Sequence, residues 1–334
     1  MHAPNPARAA QFAALRQDGV VCRPANLGLI RVEGDDAATF LHSQLTNAVD
    51  DLAPGQARLA GYCSPKGRLL ATFLMWRDAA GIALQLSADL QPAIQKRLSM
   101  FVLRAKAKLS DLGAASGCVG VAGARGDSAL SAAGLLLPAG PWSTASEGDT
   151  TVLRLPDTDG VPRWQVWGPA ERIDALRERL AVTLLPADAE LWDWLDIRSG
   201  LPRIVVATQE RFVPQMVNFE LIGGVNFRKG CYPGQEIVAR SQYRGTLKRR
   251  MWLVAGEGET PAEGTEIFRT DEPEQPAGMI VNAAPGPDGG WEALAELKID
   301  AASAALRLGH ADGLALTLGE LPYAVPLLAT DPAA

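Results

Sequence analysis

The C-terminal part of the chain, from about residue 245, sets the strongest limit on what this sequence can fold into. Short strand-like runs alternate there with Gly/Pro turns, and no helical periodicity is strong. These runs are Lys248 to Val254, Met279 to Asn282, Trp291 to Leu297 and Leu314 to Leu318. Several short strands joined by tight turns are typical of a small all-β domain. We therefore predict a C-terminal β-barrel over residues 245–334.

Residues 1–244 mix strand and helix patterns and predict an α+β region. Two apolar runs, Arg58 to Cys63 and Leu69 to Trp76, are separated by Ser64-Pro65-Lys66-Gly67, which is typical of a hairpin turn. Asp35 and Asp89 each precede helical spacing and are predicted to cap helices. The Gly/Pro/Ser/Ala-rich stretch 134–150 is a candidate loop and boundary between two interwoven subdomains.

Composition limits the functional class. The 334 residues suffice for two or three domains, and the net charge of -6 argues against general, charge-driven binding to nucleic acid or membranes. The four cysteines are too widely spaced for metal-type pairs, and a chain of this size does not need disulfides. There is no signal-like start and no apolar run of about 18 residues. These features favour a cytoplasmic protein without a membrane segment or a metal site.

Several common catalytic motifs are missing from the sequence. There is no G-x-x-x-x-G-K-[ST], no G-x-G-x-x-G and no G-x-S-x-G. The chain has three histidines, and we interpret His42 and His310 as structural residues. A Cys–His or Ser–His hydrolase would have to recruit one of them.

The segment Asn226 to Glu236 is the predicted functional centre. Glycines punctuate it, so the backbone can turn tightly or approach a ligand closely. Cys231 lies two residues after Lys229, and a helix is expected to begin at Gln235 after a Tyr-Pro-Gly turn. A thiol ahead of a helix N-terminus and near basic side chains ionises more readily than a free thiol. Cys231 is therefore the predicted nucleophile, although a single cysteine is often only a small buried side chain.

Charge around this centre is strongly basic. Glu236 is the single acid between residues 228 and 250, against seven basic residues. The stretch predicts an anionic ligand, either the glutamate tail of a folate or RNA phosphates, unless it is simply a solvated face. The basic residues are Arg228, Lys229, Arg240, Arg244, Lys248, Arg249 and Arg250.

The motif K-G-C-Y-P-G-Q-E at 229–236, with G-G-V-N-F before it and I-V-A-R-S-Q-Y-R-G after it, closely resembles the signature of the YgfZ family. F-L-H-S-Q-L-T-N-A-V-D-D-L at 40–52 and Y-C-S-P-K-G-R at 62–68 extend the resemblance. It implies a folate-binding protein linked to iron–sulfur cluster maintenance and to tRNA modification. That family is similar to the T-protein of the glycine cleavage system. A multidomain fold around a central folate pocket, with a C-terminal β-barrel, is therefore expected.

The resemblance also implies site residues. Cys231 would be the reactive group, with Lys229 beside it as the second catalytic residue, and tetrahydrofolate or a derivative would be the cofactor. The expected folate-binding residues are Tyr232, Gln235, Glu236, Arg240, Arg198, Lys66 and Arg68.

Two departures from the T-protein pattern bear on activity. Ala71 and Thr72 stand where that enzyme carries acidic residues, so the carboxylate that assists aminomethyl transfer is missing. Arg198 stands where a T-protein glutamate pairs with the pterin, and an arginine cannot accept a hydrogen bond. Both changes argue against glycine cleavage.

These observations predict a folate-binding accessory protein for the assembly or repair of iron–sulfur clusters, acting through Cys231. Its expected partners are folate, iron–sulfur client or assembly proteins, and tRNA. The alternatives are a tetrahydrofolate-dependent one-carbon transferase and a non-catalytic module that holds folate. A protein that binds RNA through the 228–250 stretch is a further alternative.

Overall fold

The structure is a computed structural model that describes residues 6–243 and 247–326. The helices of this part are α1 (Pro6–Gln17), α2 (Ala37–His42), α3 (Gln91–Met100), α4 (Gly126–Ala132), α5 (Ala170–Leu180), α6 (Ala189–Arg198) and α7 (Gln235–Tyr243). The strands are β1 (Val20–Cys22), β2 (Leu27–Glu33), β3 (Ala57–Cys63), β4 (Leu69–Asp78), β5 (Gly81–Ser87), β6 (Lys108–Asp111), β7 (Ser116–Ala122), β8 (Ser143–Glu147), β9 (Thr150–Thr158), β10 (Val161–Pro169), β11 (Leu185–Ala187), β12 (Arg249–Gly256), β13 (Glu266–Arg269), β14 (Pro276–Pro285), β15 (Trp291–Lys298), β16 (Leu306–Leu308) and β17 (Leu314–Gly319).

The first sheet has the strand order β3-β4-β5-β2-β6. Its strand β4 is buried without interruption from Leu69 to Trp76. A strand covered on both faces is a continuous apolar run rather than an alternating one. The turn between β3 and β4 is tight, because the Gly67 N–H donates to the Ser64 carbonyl at 2.8 Å and the Ser64 N–H donates to the Arg68 carbonyl at 2.8 Å. The predicted hairpin is confirmed.

The second sheet has the order β11-β1-β7-β10-β9-β8. Strand β1, from the start of the chain, pairs antiparallel with β7 and parallel with β11. Helix α5 places Ile173, Leu176 and Leu180 against this sheet, in one apolar cluster with Val119 and Val121. The N-terminal strand is thus built into a sheet formed mainly by residues 116–187.

The third unit is a closed barrel in the order β12-β15-β14-β13-β16-β17. Its interior is apolar, with Val254, Ile267, Ile280, Trp291 and Leu297 almost fully buried. The predicted C-terminal β-barrel is confirmed.

One hydrophobic core joins the three units. Trp76 of the first sheet and Trp167 of the second have ring centroids 6.4 Å apart. The same core includes Trp192 of α6 and reaches Met251 and Leu294 in the barrel. Among residues 6–243 and 247–326, no helix is long and apolar enough to span a bilayer.

Three local predictions need correction. The residues before α2 and α3 are Asp36 and Leu90, and neither makes a side-chain cap. Asp89 instead accepts a hydrogen bond from the Val206 N–H at 3.0 Å, so its carboxylate is used in a long-range contact. The stretch 134–150, predicted as a loop, contains β8, which pairs with β9. The domain boundary proposed there stays a prediction.

Candidate functional site

Two turns that are far apart in sequence meet at the site. Gly67 and Gly234 both have positive φ, at +68° and +80°. A Cβ on Gly234 would lie 2.7 Å from the Gly67 Cα and 2.4 Å from the Ser64 carbonyl oxygen. Such distances exclude any side chain at 234. The segments 62–68 and 229–236, both singled out from the sequence, therefore form one structural unit.

Lys229 fastens this unit to the end of α2. Its ammonium donates to the Leu45 carbonyl at 2.9 Å and to the His42 carbonyl at 2.5 Å. It also lies 4.8 Å from the centroid of the Tyr232 ring. Burial lowers the pKa of Lys229 to about 8, opposed by the charges of Asp50 and Cys231. These contacts give Lys229 an anchoring role, and the predicted catalytic role stays a prediction.

Cys231 is the accessible thiol of the chain. All four cysteines lie in the described part, and Cys231 is exposed while Cys22, Cys63 and Cys118 are buried. Burial raises the pKa of the Cys63 thiol to about 12 and also raises the pKa of Cys22 and Cys118. The buried thiols are therefore unreactive near neutral pH, and Cys231 is the thiol that can react with molecules in solution.

The other motif residues divide between the interior and the surface. Tyr232 is buried, and desolvation, with a smaller contribution from Cys63, raises the pKa of its hydroxyl. Gln235 is half-buried at the first position of α7, and Glu236 and Arg240 are exposed on that helix. Tyr232 is thus the buried residue of the turn. Gln235, Glu236 and Arg240 lie nearer the surface, on the helix that follows Cys231.

The basic stretch is only partly available to a ligand. Arg250 is buried and pairs with Glu220 at 2.5 Å, and Arg249 pairs with Glu296 at 2.8 Å. Arg228, Arg240 and Lys248 are exposed. Arg244, which the sequence also placed here, lies outside the described residues. Arg249 and Arg250 are thus committed to ion pairs with glutamates, and the anion site predicted near the stretch stays a prediction.

A small interior pocket lies between the two sheets and the end of α6. It encloses about 70 Å³, and its polar lining comprises Thr72, Gln85, Gln165, Asp196 and Arg203. Apolar lining comes from Leu27, Leu59, Phe73, Leu74, Leu86, Trp142, Leu155, Leu201 and Pro202.

Several polar groups of this pocket lack partners. The buried Gln165 Oε1 and the Arg203 Nε and Nη1 form no hydrogen bond within the described part of the chain. The Asp196 carboxylate accepts from Arg163 at 2.6 Å through Oδ1. The pocket therefore offers an amide oxygen, a carboxylate and guanidinium donors to a planar polar ligand.

A larger cleft, of about 440 Å³, lies between the first hairpin turn and the barrel. Arg68 lines it and donates a hydrogen bond to the Arg211 carbonyl. Glu210, Glu266 and Arg249 also face this cleft, so its charges are mixed. Lys66 is exposed at the turn tip and lines neither this cleft nor the interior pocket.

Arg198 does not line the interior pocket. Its guanidinium pairs with Asp159 at 2.9 Å and with Glu292 of β15 at 3.5 Å. These carboxylates raise the pKa of Arg198. The structure places Asp196, two positions earlier, at the pocket instead.

Comparison with known proteins supports the family assignment. No family model matches the chain. The tRNA-modifying protein YgfZ of Edwardsiella ictaluri is 32% identical over 299 residues, which cover 88% of this chain and 89% of that protein. The Yersinia pseudotuberculosis protein of the same name is 29% identical over 302 residues, covering 89% and 90%. The chain belongs to the YgfZ family.

A solved structure supports the fold of this YgfZ-family chain. The glycine cleavage system aminomethyltransferase T from Bartonella henselae superposes with a TM-score of 0.79, covering 94% of this chain and 89% of that one. The identity is 18%, so the likeness concerns the fold alone. The predicted T-protein-like architecture is confirmed.

Sequence reasoning missed several residues that the structure of this YgfZ-family protein brings to the interior pocket or beside the motif. Trp142, Gln165 and Arg203 belong to no motif, and their only signal is their meeting in space. Asp196 could have been suspected as a carboxylate near the predicted pterin position. His42, interpreted from the sequence as structural rather than catalytic, lies beside the motif, with its Nε2 3.7 Å from the position of a Cβ on Gly230.

Proposed function

We propose that this protein is a folate-binding accessory protein that supports assembly or repair of iron–sulfur clusters, and through them the modification of tRNA. The observation that carries the proposal is the position of Cys231. It is the exposed thiol among four described cysteines, held where the two motif turns meet. Relatives named tRNA-modifying proteins support the link to tRNA.

The surroundings of the Cys231 thiol favour a reactive role over a role as a packed core side chain. Cys231 is exposed on a segment fixed by the two glycine turns and by the Lys229 contacts to α2. The Lys229 ammonium adds positive charge to this segment, and that charge is coupled to Cys231. A surface thiol held in this way could protect a cluster intermediate or contact a client protein.

The chemistry of the interior pocket suits a pterin ring. Pterins present N–H donors and a carbonyl acceptor along one edge, which complement the Asp196 carboxylate and the Arg203 Nε and Nη1 donors left free beside the Arg203–Asp193 pair. Gln165 Oε1 offers a second acceptor. When bound, a tetrahydrofolate supplies a one-carbon carrier. The pocket of about 70 Å³ is smaller than the roughly 300–1,000 Å³ of typical ligand sites, so binding requires lining side chains such as Trp142 to move.

The arrangement disfavours a true aminomethyltransferase. Ala71 is buried and carries no carboxylate. The Thr72 hydroxyl accepts a hydrogen bond from the Ile204 N–H at 3.1 Å, so it is committed to the backbone. No side chain at these two positions is left to assist proton transfer to a substrate amine.

Exposed charge near the thiol supports contact with an anionic partner. Arg228, Arg240 and Lys248 remain free of ion pairs within the described residues. The net charge of -6 restricts such contact to this local surface. A tRNA or the acidic tail of a folate would meet these residues first.

The cellular role is tested by complementation. Cys231→Ala, with Cys22→Ala as the matched buried control, is expressed in cells whose own homologue has been deleted. We expect Cys231→Ala to fail to restore both the activity of an iron–sulfur enzyme and the modified-nucleoside content of tRNA, measured by mass spectrometry. Full restoration by Cys231→Ala would defeat the proposal.

Folate binding is tested separately by titration calorimetry with tetrahydrofolate. Asp196→Asn removes the carboxylate's charge, and Asp174→Asn on the surface is the control. We expect affinity to fall on the order of tenfold for Asp196→Asn, since a charge-assisted hydrogen bond contributes about 1.5–3 kcal/mol. Unchanged affinity in a folded Asp196→Asn protein would place the pterin elsewhere.

A further inference from the structure

A histidine–carboxylate pair lies directly behind the thiol-bearing segment. His42 ends α2, and its Nδ1 is 2.7 Å from the Oδ1 of Asp50. The His42 side chain is 19% exposed and that of Asp50 is 59% exposed. On the other side of the ring, Nε2 lies 3.7 Å from the position of a Cβ on Gly230, the residue before Cys231. The imidazole of His42 and the carboxylate of Asp50 thus lie beside the residue that precedes Cys231.

The partners of the ring fix its tautomer. The 2.7 Å contact between Asp50 Oδ1 and His42 Nδ1 requires a proton on Nδ1. The Val49 N–H also approaches this nitrogen, but the distance between the two nitrogens is 3.4 Å, which is long for a hydrogen bond. A carboxylate at 2.7 Å outweighs a long backbone contact. The proton therefore resides on Nδ1 in the neutral ring, and the lone pair on Nε2 is directed toward the motif. Within the described residues, Nε2 has no hydrogen-bond partner.

The motif backbone cannot drift away from this ring. Lys229 donates to the carbonyl of His42 itself, so residue 229 is tied to the residue that carries the imidazole. One bond further on, Gly230 leaves open the space that a side chain would fill beside Nε2. Cys231 is the next residue, and its side chain is exposed.

We infer that His42 accepts the proton of the Cys231 thiol, with Asp50 as a positioning residue that orients the ring and stabilises its charged form. The S–H bond breaks, its electron pair stays on sulfur, and the proton moves to Nε2. The product is a thiolate beside an imidazolium that shares its Nδ1 proton with Asp50. The inference rests on the proposed function only in taking Cys231 as the reactive group.

The surrounding charges favour this transfer. Asp50 stabilises the imidazolium, and the Lys229 ammonium lies close enough for its charge to be coupled to Cys231. After the transfer, the thiolate would have two positive groups in its surroundings, the imidazolium and the Lys229 ammonium.

A second carboxylate near the ring is already neutralised. Asp51 pairs with Arg58 at 2.6 Å, and this arginine is the main reason why the pKa of Asp51 is lowered. His42 contributes a smaller lowering of the same pKa. Asp51 therefore does not compete with Asp50 for the ring.

The chain contains its own matched control. His310 pairs with Asp312 in the barrel, and this contact, like that of His42 with Asp50, joins the imidazole Nδ1 to an aspartate Oδ1. No cysteine lies in the described part of the barrel, since the four are at 22, 63, 118 and 231. His310→Gln therefore removes an Asp-paired histidine without touching a thiol.

The test is the rate of Cys231 alkylation by iodoacetamide as a function of pH, followed by intact mass. An ordinary thiol with a pKa of about 8.5 is only about 3% thiolate at pH 7. We expect the wild type to react on the order of tenfold faster at pH 7 than His42→Gln, with the two rates converging above about pH 9. Asp50→Asn should be slow, Asp50→Glu should recover much of the rate, and His310→Gln should match the wild type.

An unchanged pH profile in His42→Gln would overturn the inference. If the role of His42 were purely structural, His42→Gln would instead lower the unfolding midpoint and expose buried thiols. The mass spectrum would then show more than one label per chain, and the dependence of the Cys231 alkylation rate on pH would not shift. The assay needs neither folate nor RNA. A histidine-dependent profile combined with normal complementation by Cys231→Ala would sink the proposed function and leave this inference standing.

Discussion

Gly234→Ala should destabilise the protein because it separates the two turns that form the site. Gly234 has φ of +80°, and an added methyl group would lie 2.4 Å from the Ser64 carbonyl oxygen and 2.7 Å from the Gly67 Cα. All of these are backbone atoms, and the Ser64 carbonyl is held by the Gly67 N–H. They cannot move aside without breaking the hairpin.

The magnitude follows from two contributions. A left-handed conformation costs a non-glycine residue about 1–2 kcal/mol, and forcing a methyl group into a closed contact costs about 1–3 kcal/mol. Gly234→Ala should therefore lower the free energy of unfolding by about 2–5 kcal/mol. Urea denaturation followed by tryptophan fluorescence measures this loss.

Gly134→Ala separates the two contributions. Gly134 has φ of +78°, almost the same as Gly234, but nothing lies within 4 Å of its added Cβ. It should lose only the conformational part, about 1–2 kcal/mol. Equal losses at the two positions would refute the steric argument and the close packing of the turns.

Three further outcomes are expected. Arg250→Met leaves Glu220 buried without its 2.5 Å partner and should cost about 3–5 kcal/mol in urea denaturation, and adding Glu220→Leu should recover part of the loss. Burial lowers the pKa of Lys229 to about 8, so the unfolded chain binds more protons between about pH 8 and 10.5. The stability of the wild type relative to Lys229→Met should therefore rise through that window, and a falling difference would contradict the assigned shift. In native protein a maleimide should label Cys231 alone, and four thiols should react in denaturant; a second native label would show that a buried cysteine is accessible.

Local pattern was a good guide to the elements that depend on neighbours in sequence. Four of the six barrel strands, the hairpin at Ser64–Gly67 and the start of α7 at Gln235 were predicted because strand patterns, turn glycines and prolines act over a few residues. The short strands β13 and β16 were not predicted. The helix caps were predicted less well. The Asp89 carboxylate accepts a hydrogen bond from the Val206 N–H, more than a hundred residues away in sequence, instead of capping a helix. The strand β8 was missed because its Ser- and Ala-rich sequence carries no apolar alternation.

The candidate site shows the same division. The motif itself named Cys231, Lys229 and Tyr232, and the resemblance it carries named the family. The sequence could not predict which basic side chains are available to a ligand. Arg249 and Arg250 are arginines of the same stretch as Arg228, and only the fold pairs them with Glu296 and Glu220.

The sequence by itself determined many of the strands and turns, where glycine was required, and which residue types could do chemistry. Only the tertiary structure decided which of these meet: the Gly67 and Gly234 turns, His42 beside Gly230, and Asp196 rather than Arg198 at the pocket. The physical reason is range. Backbone preferences and periodicity act over a few residues, whereas close packing and pairing of buried charges depend on groups that the chain brings together from remote positions.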